Sequence, residues 1–203
     1  GTADNTAARA PDTANVAAAA QVDTVAIAGI VETGDTYSVT IDDITVTYIV
    51  QGSDTTLADV RDGLLAAVND DVTVGAVVTA SQGSLAGDIV LTADVAGTPF
   101  TATASATNVP AGTADNTAAR APDTANVAAT AQVDTVSIAG TVEAGDTYSV
   151  TIDGTEVTYT VLGTEPDLAA IRDALVAAVN AEAGVLVTAS AGTPDGEIVL
   201  TAD

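Results

Sequence analysis

"DTYSVTIDGTEVTYTV", Asp146–Val161, is the stretch whose reading decides the fold class. Tyr148, Val150 and Ile152 fall on one face and Ser149 and Thr151 on the other, the period-two alternation of a half-buried strand. Asp153-Gly154 follows, a strong two-residue hairpin signal because a type I′ turn wants positive φ at both central positions. The return stretch "EVTYTV" alternates again, and its Thr and Val content suits a sheet. A β-hairpin is therefore predicted.

Nearly the same stretch, "DTYSVTIDDITVTYIV", runs from Asp35 to Val50, with the poorer pair Asp42-Asp43 at its turn. Working outward, "GTADNTAARAPDTANVAA" occurs verbatim from Gly1 and again from Gly112. Of the 50 residues from Gly1 to Val50, 42 are identical to their counterparts from Gly112 to Val161. This is a tandem repeat. Two residues drop out near Val72 to Gly75, after which "VTAS" and "IVLTAD" resume in both copies, so a tolerant loop is expected there.

Upstream of the hairpin, "VDTVAIAG" (Val22–Gly29) reads as a strand. Downstream, Leu57, Val60, Leu64 and Val68 recur at helical spacing, as do Leu168, Ile171, Leu175 and Val179. Thr164 or Glu165 is expected to cap the second helix, with Pro166 in its first turn and Asp167 favouring the positive end of its dipole. "VVTAS" and "GDIVLTAD" then read as strands in both copies, and "GTPFTATASAT" in the first alone. The expectation is an α+β, mainly β fold: two tandem homologous units, each an antiparallel sheet or sandwich with one packed helix. Residues 1–21 are read as an extended N-terminal linker, 22–107 as repeat unit 1, 108–132 as an inter-repeat linker stiffened by Pro110 and Pro122, and 133–203 as repeat unit 2. The second unit stops at "LTAD", so it would lack the last strand of the first.

Composition narrows the function classes. Of 203 residues, 47% are apolar, enough to bury a core, though mostly as Ala, Val, Ile and Leu. Twenty-eight carboxylates face four arginines, a formal charge of -24 without lysine or histidine. Phosphate backbones repel such a surface, which sets nucleic acid aside. Cysteine is absent, removing disulfides, thiol nucleophiles and thiolate metal sites. No apolar run approaches bilayer length, and no membrane insertion is expected. Without an initiator Met, the chain reads as a mature product or an excerpt from something longer.

Chemical sites are few. Repeated carboxylates make calcium the candidate cofactor, with Asp115, Asn116, Asp123, Asn126 and Asp134 near the junction of the units as candidate ligands. The spacing of a calcium-binding helix-loop-helix or of a glycine-rich aspartate nonapeptide is missing, and solvated turn residues are the competing reading. Glu143 with Asp146, and Glu32 with Asp35, read as exposed hairpin-turn charges rather than an acid/base pair, because no histidine, cysteine or unusual partner tunes them. Arg61 and Arg172, beside Asp62 and Asp173, read as local ion pairs, and Arg9 and Arg120 in "ARAPD" as partners of a salt bridge ordering the linker. The matched tyrosines read as sheet-face residues rather than a sugar-stacking platform.

The run "VDTVSIAGTVEAGDTYSVTIDGTEVTYTV", followed by "DLAAIRDALVAAVN" and "GEIVLTAD", resembles the repeat units of giant secreted bacterial surface proteins, the adhesin-like, type I-secreted chains related in style to RTX proteins. The resemblance implies an extracellular or cell-surface stalk or matrix fibre, often stiffened by calcium. Near-identical copies supply one surface at regular spacing, which favours length or multivalency over chemistry. The expectation is a noncatalytic structural repeat protein whose partners are other copies of itself. Its incomplete sheet would be closed by continuing chain or by a strand added from a neighbour. A calcium- or carbohydrate-binding repeat module is the alternative.

Overall fold

The computed structural model describes residues 5–109, 115–182 and 184–203; Pro110, read as a stiffener of the linker, lies outside them. In chain order the elements are β1 (Thr6–Thr13), β2 (Val22–Ala28), β3 (Thr36–Ile41), β4 (Ile44–Ile49), α1 (Leu57–Asp70), β5 (Val78–Gln82), β6 (Asp88–Ala93), β7 (Ala102–Thr107), β8 (Thr117–Thr124), β9 (Val133–Ala139), β10 (Thr147–Ile152), β11 (Thr155–Thr160), α2 (Leu168–Ala181), β12 (Val187–Ala191) and β13 (Glu197–Ala202). The fold is α+β and mainly β, with every strand pair antiparallel.

The chain divides into two compact units, of which one is a continuous piece of sequence and the other is not. Unit 2 spans Ala17–Ala129, while unit 1 joins Gly1–Val16 to Thr130–Asp203. The two segments read as linkers each supply a strand, β1 and β8. Composition concealed them because both carry "TAARAPDT", Ala-rich and interrupted by proline. Proline is tolerated in a sheet at an edge strand, and both lie at the end of their sheets.

In unit 2 one sheet runs β5-β6-β2-β8 and the other β4-β3-β7. Inward residues of both sheets (Val25, Ile27, Ile89 and Leu91; Tyr37, Val39 and Ile41) share one core with Val60, Leu64 and Val68 of α1. The helix lies against β4 and β5, bridging the two sheets on one side, and β7 meets β8 on the other. Thr56 caps α1 in a capping box with Asp59, worth about 1 kcal/mol. Both hairpin turns take the predicted left-handed path, at Asp42 (φ 45) and Asp43 (φ 68) and at Asp153 (φ 48) and Gly154 (φ 84).

Unit 1 repeats this plan with sheets β1-β9-β13-β12 and β10-β11 around Val136, Ile138, Tyr148, Val150, Ile171, Leu175 and Ile198. Its α2 is capped by Asp167, whose carboxylate accepts the Ala170 N–H, and not by Thr164 or Glu165. Glu165 instead accepts from the Tyr159 hydroxyl and from the N–H groups of Leu162, Gly163 and Thr164, which removes it from the cap. The two residues by which the copies differ in length fall in the connection after the helix, where unit 2 forms a short 3-10 turn, Val74–Ala76.

Candidate functional site

The residues that carry interaction chemistry gather where β8 docks on β2. Val25 stands opposite Arg120 and Asp23 opposite Pro122. Nearly every residue of β8 is exposed, so little apolar burial holds it. Backbone bonds and two side-chain pairs, Arg120–Asp23 and Thr24–Asp123, do the holding. Arg120 donates from Nε and Nη2 to Oδ2 of Asp23 at 2.9 and 2.7 Å, and Gln21 Nε2 donates to the same oxygen at 2.9 Å. Asp23 is wholly buried, and a buried carboxylate persists only when its charge is paired and hydrogen-bonded. One residue along, the Thr24 hydroxyl donates to Asp123 of β8.

The same clasp recurs in unit 1 with a strand from the opposite end of the sequence. There β1 docks on β9 in the equivalent register, Arg9 opposite Val136 and Pro11 opposite Asp134. Arg9 Nε donates to Asp134 Oδ2 at 2.8 Å, Gln132 Nε2 donates to it at 2.7 Å, and Thr135 donates to Asp12. Arg-x-x-Asp on the docking strand thus meets Asp-Thr on the receiving strand twice. The salt bridge expected to order the linker is a long-range pair in each unit and ties the supposed linker to a sheet.

The five candidate calcium ligands are dispersed. Asp115 accepts from Asn108 at 3.2 Å, Asn116 donates to Asp35 at 2.7 Å, Asp123 serves Thr24, and Asn126 donates to the Gly97 carbonyl at 3.2 Å. Those four belong to unit 2, whereas Asp134 belongs to unit 1 and holds Arg9. Among the described residues no group of three or more acidic side chains is placed to hold a metal ion.

Asp35, read as an exposed turn charge, is instead wholly buried, because the end of β7 and the start of β8 fold over it. Its carboxylate accepts the Val109 N–H at 2.7 Å as well as Asn116. Burial, then the charges of Asp35 and Asp115, push the neighbouring Tyr37 phenol above its ordinary pKa. In unit 1 the counterpart Asp146 is half-buried and accepts the Glu143 N–H at 3.2 Å. Arg61 and Arg172 form the expected local pairs with Asp62 and Asp173.

Sequence reading missed Asp23 and Asp134 as partners of those arginines, although a signal existed. In "VDTVAI" Asp23 shares the inward parity of Val25 and Ile27, and a carboxylate at an inward position demands a cation in a chain with only four.

No protein-family model matches this chain, and no curated protein matches it. Among the described residues no helix is long and apolar enough to cross a membrane.

Proposed function

We propose that this chain is a noncatalytic structural repeat protein whose units are joined by shared strands, building an extracellular fibre, surface filament or adhesin stalk. One observation carries this reading: the same eight residues complete a receiving sheet from either side of it in sequence. β8 follows the unit that it completes, while β1 precedes its own by 125 residues between Arg9 and Asp134. A strand that fits by its sequence and not by its chain position fits the edge of another molecule equally well. With so little side-chain burial, β1 also sits at the low-stability end of the fold and exchanges readily. The acidic surface supports the reading by repelling molecules laterally, and multivalent cations act on it by screening.

The test uses the chain's lack of cysteine. Ala8 and Ser137 face one another across β1 and β9, so Ala8→Cys with Ser137→Cys reports which molecule donates the strand. Refolding at rising concentration under oxidising conditions is expected to give a ladder of disulfide-linked oligomers on non-reducing gels. Internally closed monomer at every concentration would overturn the proposal.

A further inference from the structure

The two units differ along one edge, and the difference describes a binding site. In unit 2, β3 is bonded on both sides, to β4 and to β7. Its β7 side is anchored by the residues just before that strand. Phe100 is buried, its carbonyl accepts Gln21 Nε2 at 2.9 Å, and its N–H reaches Gln21 Oε1 at 3.2 Å. Thr101 then exchanges backbone and side-chain bonds with Asp42 at the hairpin turn, and Ala102, Ala104 and Ala106 face the core.

In unit 1 the equivalent strand, β10, is bonded among the described residues to β11 alone. Where unit 2 seats Phe100, unit 1 has a cavity of about 150 Å³. Its lining includes Gln132, Asp134, Ile152, Asp153, Val187 and Leu200, among them the counterparts of the Gln21 and Asp42 that hold the Phe100–Thr101 backbone. A cavity of that volume takes a benzene ring. The exposure of core residues agrees: Ile41 and Leu91 are 1% and 0% exposed, their counterparts Ile152 and Leu200 8% and 6%.

We infer that the β10 edge and this cavity form a receptor for an extended segment with the chemistry of Thr98–Thr107, donated by another copy of the repeat. A phenylalanine enters the cavity, Gln132 clasps its backbone, Asp153 takes the following threonine, and alternate alanines pack along β10. The inference rests on the reading that units share strands, but it concerns a different edge from the one that β1 occupies.

The probe is a synthetic peptide of the sequence Gly97–Thr107 added to the intact chain. Expected are saturable binding at one peptide per chain and slowed amide exchange confined to unit 1, centred on Thr147–Ile152. The same peptide with Phe100→Ala is expected to bind roughly 10- to 100-fold more weakly, the loss from leaving a phenyl ring unburied. No binding, equal binding of the alanine peptide, or protection centred outside unit 1 would each overturn the inference. The cysteine ladder scores the β1 edge separately, so either result can fail while the other stands.

Discussion

Removing the Arg120 guanidinium gives the sharpest test of how a nearly unburied strand is held. In Arg120→Ala, Oδ2 of Asp23, a carboxylate 0% exposed in the native fold, loses two donors and keeps Gln21. Breaking a buried pair from one side typically costs about 3–5 kcal/mol. Arg120 is itself 30% exposed, so water follows into the space it leaves, which places the expected cost at the lower end, about 3 kcal/mol. Amide exchange across Thr117–Thr124 and Val22–Ala28, followed by mass spectrometry, should then accelerate by roughly 100-fold. Adding Asp23→Asn removes the stranded charge and should restore most of the protection. Arg9→Ala should cost less, because Arg9 is 55% exposed and its bond to Asp134 is better screened. An acceleration below about threefold in Arg120→Ala would refute the reasoning, since the clasp would then be ornament on a strand held by its backbone.

Other outcomes follow from single positions. Asp43→Gly, relieving a left-handed aspartate at φ 68, should stabilise unit 2 by about 1 kcal/mol in urea unfolding; no gain would mean that the turn is unstrained. A Cβ at Gly63 would lie 2.2 Å from the Tyr48 ring, so Gly63→Ala should destabilise by about 1–2 kcal/mol despite better helix propensity. Asp54→Glu should rescue it, since unit 1 pairs Ala174 with Glu165 and Tyr159; additive losses in the double variant would sink this account. Hydrogen bonds from Thr55 and Thr56 hold the Asp59 carboxyl below its usual range, and N–H groups of Val74 and Thr73 do so for Asp71. Both folded values lie below the unfolded ones, so their stabilisation is complete above the ordinary carboxylate pKa and is lost as pH falls through the lowered values. Helical ellipticity should therefore decline below about pH 4, and a flat signal to about pH 2 would contradict it. Chelators should leave the melting temperature unchanged at fixed ionic strength, whereas a loss specific to calcium removal would return Asp115, Asn116, Asp123, Asn126 and Asp134 to the status of ligands.

Local pattern made the hairpins, the helices and the strands after them legible, because alternation and helical spacing are written in the residues that form them. The docking strands were not legible, because β1 and β8 bury almost nothing and therefore have no hydrophobic period to read. Glu165 was misplaced for a different reason. A carboxylate before a helix is a natural cap, and only the tertiary position of Tyr159 draws it away. The clasp itself was half legible: the arginines stood out by their scarcity, and the buried aspartates by parity alone.

The pairing of Val22 with Thr124 has a mechanical consequence. The first residue of β2 and the last of β8 are partners at one end of the same ladder, so tension along the chain pulls the unit from two adjacent points. Load of that kind peels bonds one at a time instead of shearing them together, and the side-chain contacts at that end of the ladder are Asp123–Thr24 and then Arg120–Asp23. Those contacts act as a latch. Once they release, the stretch from Val22 to Thr124 holds on the order of 350 Å of extensible chain, at about 3.4 Å per residue. A filament of such units would yield under a sudden pull by paying out length one repeat at a time, and would recoil as each latch re-forms.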